Sequence, residues 1–243
     1  MSMSRTLTDD ARLPFPQARV VAEVQALDGT RLERMQTAAH DLIHCLEEFA
    51  SRGEVPLAAV VRESGAPCLW QHYQGNAASP LGEQPHELHY YYHSHAVTGA
   101  LRQEHGHYHL FAQLGADDGG TPRYTHIVAI GVDARGLPLR LFTTNRWVTD
   151  ETWLPADKVI ALSERIASAS ETASDSVERW LRAQLGVFAP QIAALLRHRD
   201  HRIGRRMHGG RRPGLLEDRR MHVLSQCRVS VQHQLTAFDH VIH

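Results

Sequence analysis

Two runs of alternating histidine stand out in this 243-residue sequence, His93-Ser94-His95 and His105-Gly106-His107-Tyr108-His109. On a β-strand successive side chains point to opposite faces, so each run would present its imidazoles in a row on one side. Residues 96–104 between the runs are long enough for a hairpin connection. If that hairpin closes symmetrically, His93 lies opposite His107, His95 opposite His105 and Tyr91 opposite His109. Opposed residues hold their Cβ atoms about 4.5–5.5 Å apart, which lets two imidazoles reach one ion through bonds of about 2.0–2.1 Å. Neutral imidazole suits iron, copper, zinc and nickel, whereas magnesium and calcium prefer oxygen. The expected ligands are His93, His95 and His107, with His105 and His109 as alternates. A register slip of one residue would turn one row away from the other and disperse the site.

The chain has 18 histidines, with no terminal run of the kind a purification tag leaves, so clustering must decide which of them act. Without a metal, neighbouring imidazoles would repel one another when protonated near pH 6.5, roughly their ordinary pKa. A pH-sensitive patch and unrelated surface histidines are the alternatives to a metal site.

Around the runs, Glu104 is a candidate ligand, an acid orienting an imidazole, or a general base, against the plainer role of a loop carboxylate. Tyr91 shares the parity of His93 and is a candidate substrate contact, although strand aromatics are first of all strand formers. Arg146, in the segment Thr143 to Trp153, could clamp a carboxylate; a capped loop with Trp147 and Trp153 buried is the simpler expectation. His126 heads a later strand in a register the sequence leaves open. His40, His44 and Glu47 recur at helical spacing, beside the apolar stripe of their helix, and read as its solvated side. The His-x-His run with a nearby glutamate and a later histidine superficially resembles the cupin metal motif, but Glu104 follows His95 at a longer spacing and the glycine framework is absent. Membership of that family is not implied.

These residues predict a metal-dependent enzyme acting on a small molecule. All-nitrogen ligation with open positions suits iron or copper oxidoreductase chemistry, slightly favoured here, or a zinc-bound water for hydrolysis. A metal- or haem-binding protein without turnover is the second reading. A third is a nucleic-acid binder: nine arginines against three acids lie between Arg197 and Arg220. That stretch lacks interleaved aromatics for base stacking, so a solvated or subunit-contacting linker is expected instead.

The elements needed to position the site are legible from periodicity. Leu32, Met35, Ala39, Leu42, Ile43, Leu46 and Phe49 repeat at helical steps before Gly53, predicting a helix over 30–52. Strands are expected at Cys68 to Tyr73, His86 to His95, Gly106 to Leu114, Tyr124 to Val132 and Leu137 to Thr144, joined by the turn-rich segments 75–85, 115–123 and 133–136. From Pro155 onward the chain reads as helical, with Asp175 and Glu178 as a capping box, Pro190 opening another helix, and Leu216 to Phe238 keeping a helical period. The expected fold is α+β, an antiparallel meander of about four to five strands covered by N- and C-terminal helices, in one domain over 17–243 after a disordered 1–16.

Composition sets the remaining bounds. Hydrophobic residues at 42% fill a core without staples, and a net charge of −1 gives no overall polyanion-seeking field. Cys45, Cys68 and Cys227 are odd in number and scattered, which predicts reduced thiols. No apolar run reaches membrane-spanning length and the start lacks a leader pattern, so a cytoplasmic protein is expected.

Overall fold

The structure is a computed structural model that describes residues 24–62, 72–74, 88–94, 103–169, 173, 175–208 and 214–242. Helix α1 (Gly29–Ser51) opens with the Asp28 carboxylate accepting from Arg31 N at 2.9 Å, and closes where Gly53 takes φ +64°. A side-chain oxygen at the N-cap satisfies one orphan donor, and glycine adopts the left-handed exit conformation without a Cβ clash. A short helix α2 (Pro56–Arg62) follows.

The strands β1 (His72–Gln74), β2 (Leu88–Ser94), β3 (Gly106–Ala116), β4 (Pro122–Val132), β5 (Pro138–Thr144) and β6 (Val223–Arg228) form one sheet, paired antiparallel in chain order. The β4–β5 turn is tied by Asp133, whose carboxylate accepts from Arg135 N and Leu137 N, with Gly136 at φ +92°. The remaining helices are α3 (Arg146–Thr149), α4 (Ala156–Ala167), α5 (Ser176–Val187), α6 (Ala189–His208) and α7 (Val231–Ile242). This is the expected α+β arrangement. Asp175 caps α5 by accepting from Glu178 N at 2.8 Å, and Glu178 Oε1 accepts from Arg182 Nε at 2.8 Å.

One face of the sheet is apolar. Tyr92, Tyr108, Ile130, Leu141 and Cys227 are register partners across five strands, and all belong to one buried cluster with residues of α1, α4, α5 and α6. Helices α4 and α6 pack on β3 to β6, and α1 lies on α5. Tyr108 meets Trp180 of α5 edge-on, ring centroids 5.6 Å apart. Cys45 and Cys227 are free and buried, and burial pushes their thiols up to about 11 and about 12.

Two expectations about the C-terminal third are corrected. Val223 to Arg228 is a strand, not part of a helix. Val223, Cys227 and Val231 stand four apart, a step that fits one helical turn and also two strand repeats, and pairing with the edge of β5 decides between them. The arginine-rich segment is helical as far as His208, since α6 runs through it. The predicted strand at 68–73 overlaps β1 only at His72 and Tyr73. Residues 1–23, 68–71, Cys68 among them, and His95 lie outside the described residues.

Candidate metal centre

The opposite face of the sheet carries the histidines. His93 is the register partner of His107, and Tyr91 of His109. Odd-numbered positions of β2 and β3 therefore project away from the helical core. One ring nitrogen from each of His93, His107 and His109 lies within 4.8 Å of the others, with His107 and His109 buried and His93 half-buried. The rings already touch: His93 and His107 have centroids 4.3 Å apart, His107 and His109 4.9 Å. Three nitrogens bound tetrahedrally at about 2.0–2.1 Å stand roughly 3.3 Å apart, so small side-chain rotations suffice to close them on one ion.

The next strands supply room and support. Gly131 on β4 is the partner of His107, and Arg140 on β5 the partner of Gly131. The place a side chain would take at Gly131 is filled by the Glu104 carboxylate, 2.7 Å from where a Cβ would stand. Glu104 receives two hydrogen bonds from Arg140, Nε to Oε2 at 3.0 Å and Nη2 to Oε1 at 2.9 Å. Its Oε1 also lies 3.4 Å from His107 Nδ1. All three are buried, and a buried ion pair of this kind is tolerated only with such geometry. Arg140 further donates to Gln226 Oε1 on β6 at 2.9 Å.

In the neighbouring row Ala129 separates His109 from Phe142. The Phe142 ring stands edge-on to His107 at 5.1 Å and to His109 at 6.0 Å, and carries the Arg140 guanidinium over its face at 4.1 Å. On the other side Tyr91 stacks on His109 at 4.9 Å, and burial raises its phenol to about 12. The wall of the centre is aromatic.

His126 arrives by an irregularity. Between Leu110/Val128 and Phe111/His126 the β3–β4 register shifts, so that Ile127 is passed over. Val128 and Ile127 both join the helical-face cluster, and residue 126 is delivered to the histidine face. There His126 Nε2 is 3.1 Å from His109 Nδ1, and its Nδ1 is 3.4 Å from Thr144 Oγ1. Burial, with a smaller push from Arg199, lowers His126 to about 3, so its ring is neutral. Glu151 accepts from His126 N at 2.7 Å and from Thr125 Oγ1 at 3.1 Å. Burial raises Glu151 to about 7 against the pull of these donors and Arg199.

The expected site residues thus divide. His93, His107 and His109 come together; Glu104 and Tyr91 border them. His105 turns away: strand geometry begins only at Gly106, and the His105 Nδ1 lies 2.7 Å from Tyr92 OH, whose ring belongs to the helical core. Gly106 permits this, since a Cβ there would stand 2.3 Å from the Tyr92 hydroxyl. Arg146 does not join the centre. It pairs with Glu217 through Nε at 2.7 Å and through Nη2, on a helix capped by Asn145. Trp147 and Trp153 are half-buried, not fully buried as expected. His40, His44 and Glu47 are exposed. In the arginine-rich segment, Arg199 is buried over the Trp153 ring and donates to Leu154 O at 2.7 Å, while Arg202 donates to Leu224 O at 2.9 Å.

A family profile described as a domain of unknown function, DUF6969, matches residues 36–229. The chain belongs to that family. The matched span contains every described residue of the centre, from His93 to Gln226. Comparison with curated proteins and with solved structures found no match to either. Among the described residues no helix is long and apolar enough to cross a membrane.

Proposed function

We propose that this protein binds a transition-metal or zinc ion on His93, His107 and His109 and uses it to act on a small molecule. The observation that carries the reading is the convergence of the three ring nitrogens within 4.8 Å, two of the rings being buried. A single ion can take one lone pair from each of three imidazoles brought this close. A three-nitrogen set leaves coordination positions for water or substrate. Such an ion would supply Lewis acidity or one-electron chemistry, with iron and copper favoured for oxidation and zinc for hydrolysis.

Tyr91, Phe111 and Phe142 would line the substrate space with flat apolar surface. Ring centroids 4.3–4.9 Å apart leave no slot for a planar macrocycle between the imidazoles, which favours a bare ion over haem. Arg199 and Arg202 of α6 are engaged with carbonyl oxygens and, for Arg199, a tryptophan ring, which weighs against a nucleic-acid role for these two.

The test is elemental analysis of protein purified without added metal, wild type beside His107→Ala. Stoichiometric iron, copper or zinc in the wild type, lost in the variant, is the expected result. A wild-type protein free of metal that also fails to take up any of the three on dialysis would overturn the reading.

A further inference from the structure

We infer that His126 is a positioning residue for the centre, accepting the Nδ1 proton of His109 so that His109 turns its Nε2 to the ion. The inference rests on the metal reading above and adds a residue and a direction of hydrogen bonding to it.

The geometry fixes most of the argument. His109 Nδ1 and His126 Nε2 are 3.1 Å apart in a site where both rings are buried, so one of the two nitrogens must carry the hydrogen. If His126 donated, His109 would carry its proton on Nε2 and offer its only lone pair to His126, leaving nothing for an ion. Coordination by His109 therefore selects the opposite assignment, in which His109 donates and His126 accepts. The other nitrogen of His126, Nδ1, then bears hydrogen and faces Thr144 Oγ1 at 3.4 Å, which can accept it. A directed chain results, from His109 to His126 to Thr144.

His126 is not itself in the converging group of three, so it stands behind a ligand and not among them. Its ring is clamped by Phe111, edge-on at 5.1 Å, and its backbone N–H by Glu151 at 2.7 Å. The register shift at Ile127 is what brings it to this face; in a regular strand residue 126 would point into the helical core. On the neighbouring ligand the Glu104 carboxylate occupies the equivalent place, 3.4 Å from His107 Nδ1. The two ligands thus have unlike supports, an anion behind His107 and a neutral ring behind His109. An anionic acceptor raises the donor strength of an imidazole more than a neutral one does, so His107 is the stronger donor of the pair.

Two variants separate positioning from mere packing. His126→Gln keeps a side-chain oxygen able to accept from His109, whereas His126→Leu fills similar space without an acceptor. Zinc affinity, read by competition with a chromophoric chelator, should fall about 10–100-fold in His126→Leu and only a few-fold in His126→Gln. In nitrogen-15 histidine-labelled protein, long-range proton–nitrogen spectra should show His109 protonated on Nδ1 in the wild type and His126→Gln. In His126→Leu, where residue 126 no longer accepts it, that proton should exchange markedly faster with solvent. Unchanged zinc affinity in His126→Leu overturns the inference. So does complete loss of zinc in both variants, which would make His126 a ligand. Failure of the centre itself shows differently, as wild-type protein that takes up no zinc; the spectra of metal-free protein then still report the tautomer, and a bare His109 Nδ1 overturns the inference.

Discussion

Arg140 holds Glu104 through two parallel hydrogen bonds of 2.9 and 3.0 Å, and the carboxylate so held sits in the space that Gly131 leaves beside His107. Removing one partner of a buried pair strands the other charge, at a cost of about 3–5 kcal/mol. Arg140→Ala should therefore lower unfolding free energy by about that amount in urea denaturation. The double variant Arg140→Met, Glu104→Gln should recover much of the loss, because no charge is left behind. Equal instability of single and double variants would contradict the pairing.

Gly131→Ala adds a single methyl group where the Glu104 carboxyl carbon stands 2.7 Å away. The neighbour is the gripped end of an ion pair and cannot swing aside freely. Overpacking of this kind costs about 1–3 kcal/mol, and the displaced carboxylate should weaken metal binding as well. Chemical denaturation and chelator competition on the same preparation read both effects; a variant indistinguishable from wild type in each would refute the steric account.

His105 is the built-in control for the histidine cluster. Its Nδ1 partners Tyr92 OH at 2.7 Å on the helical side of the sheet. His105→Ala should leave the metal content unchanged, while loss of the His105–Tyr92 hydrogen bond lowers stability by about 0.5–1.5 kcal/mol. Metal loss in His105→Ala with stability intact would place His105 in the centre after all.

Glu151 provides a pH signature, best read on chelator-treated protein. Burial raises its carboxyl from an ordinary 4.5 to about 7 in the folded chain. Below pH 4.5 both states hold the proton and the group contributes nothing. Between pH 4.5 and 7 the folded state binds more protons than the unfolded state, so stability falls as pH rises; above 7 the penalty is constant. Glu151→Gln keeps an oxygen for His126 N–H but cannot ionise. The variant should gain on wild type across that window, by a few kcal/mol at pH 8 as an upper bound. A stability difference that does not change with pH would rule out the raised carboxyl.

Several features were legible in the sequence, each for a local reason. The parity of His93, His107 and His109, the turn residues at 133–136 and the helical stripe of α1 are patterns of one strand, one turn and one helix. The hairpin register was legible too, because symmetric closure across residues 96–104 leaves few alternatives; the pairs His93/His107 and Tyr91/His109 follow from it. The C-terminal strand was not legible, since steps of four residues satisfy both periods and only the open edge of β5 resolves them. His126 was visible as a histidine in a strand, but its face was set by the passed-over Ile127, which alternation alone would assign the other way.

What the residue order determined by itself is the set of candidate donors: imidazole nitrogens, repeated at strand spacing on segments able to pair. What only the tertiary structure decided is which donors meet and what stands behind them. Glu104, Gly131 and Arg140 are distant along the chain, and a carboxylate filling the void over a glycine is a relation between strands that no single segment encodes. Strand alternation is a property of bonds along the backbone; support of a ligand depends on distances across the sheet, which exist only once the strands have paired.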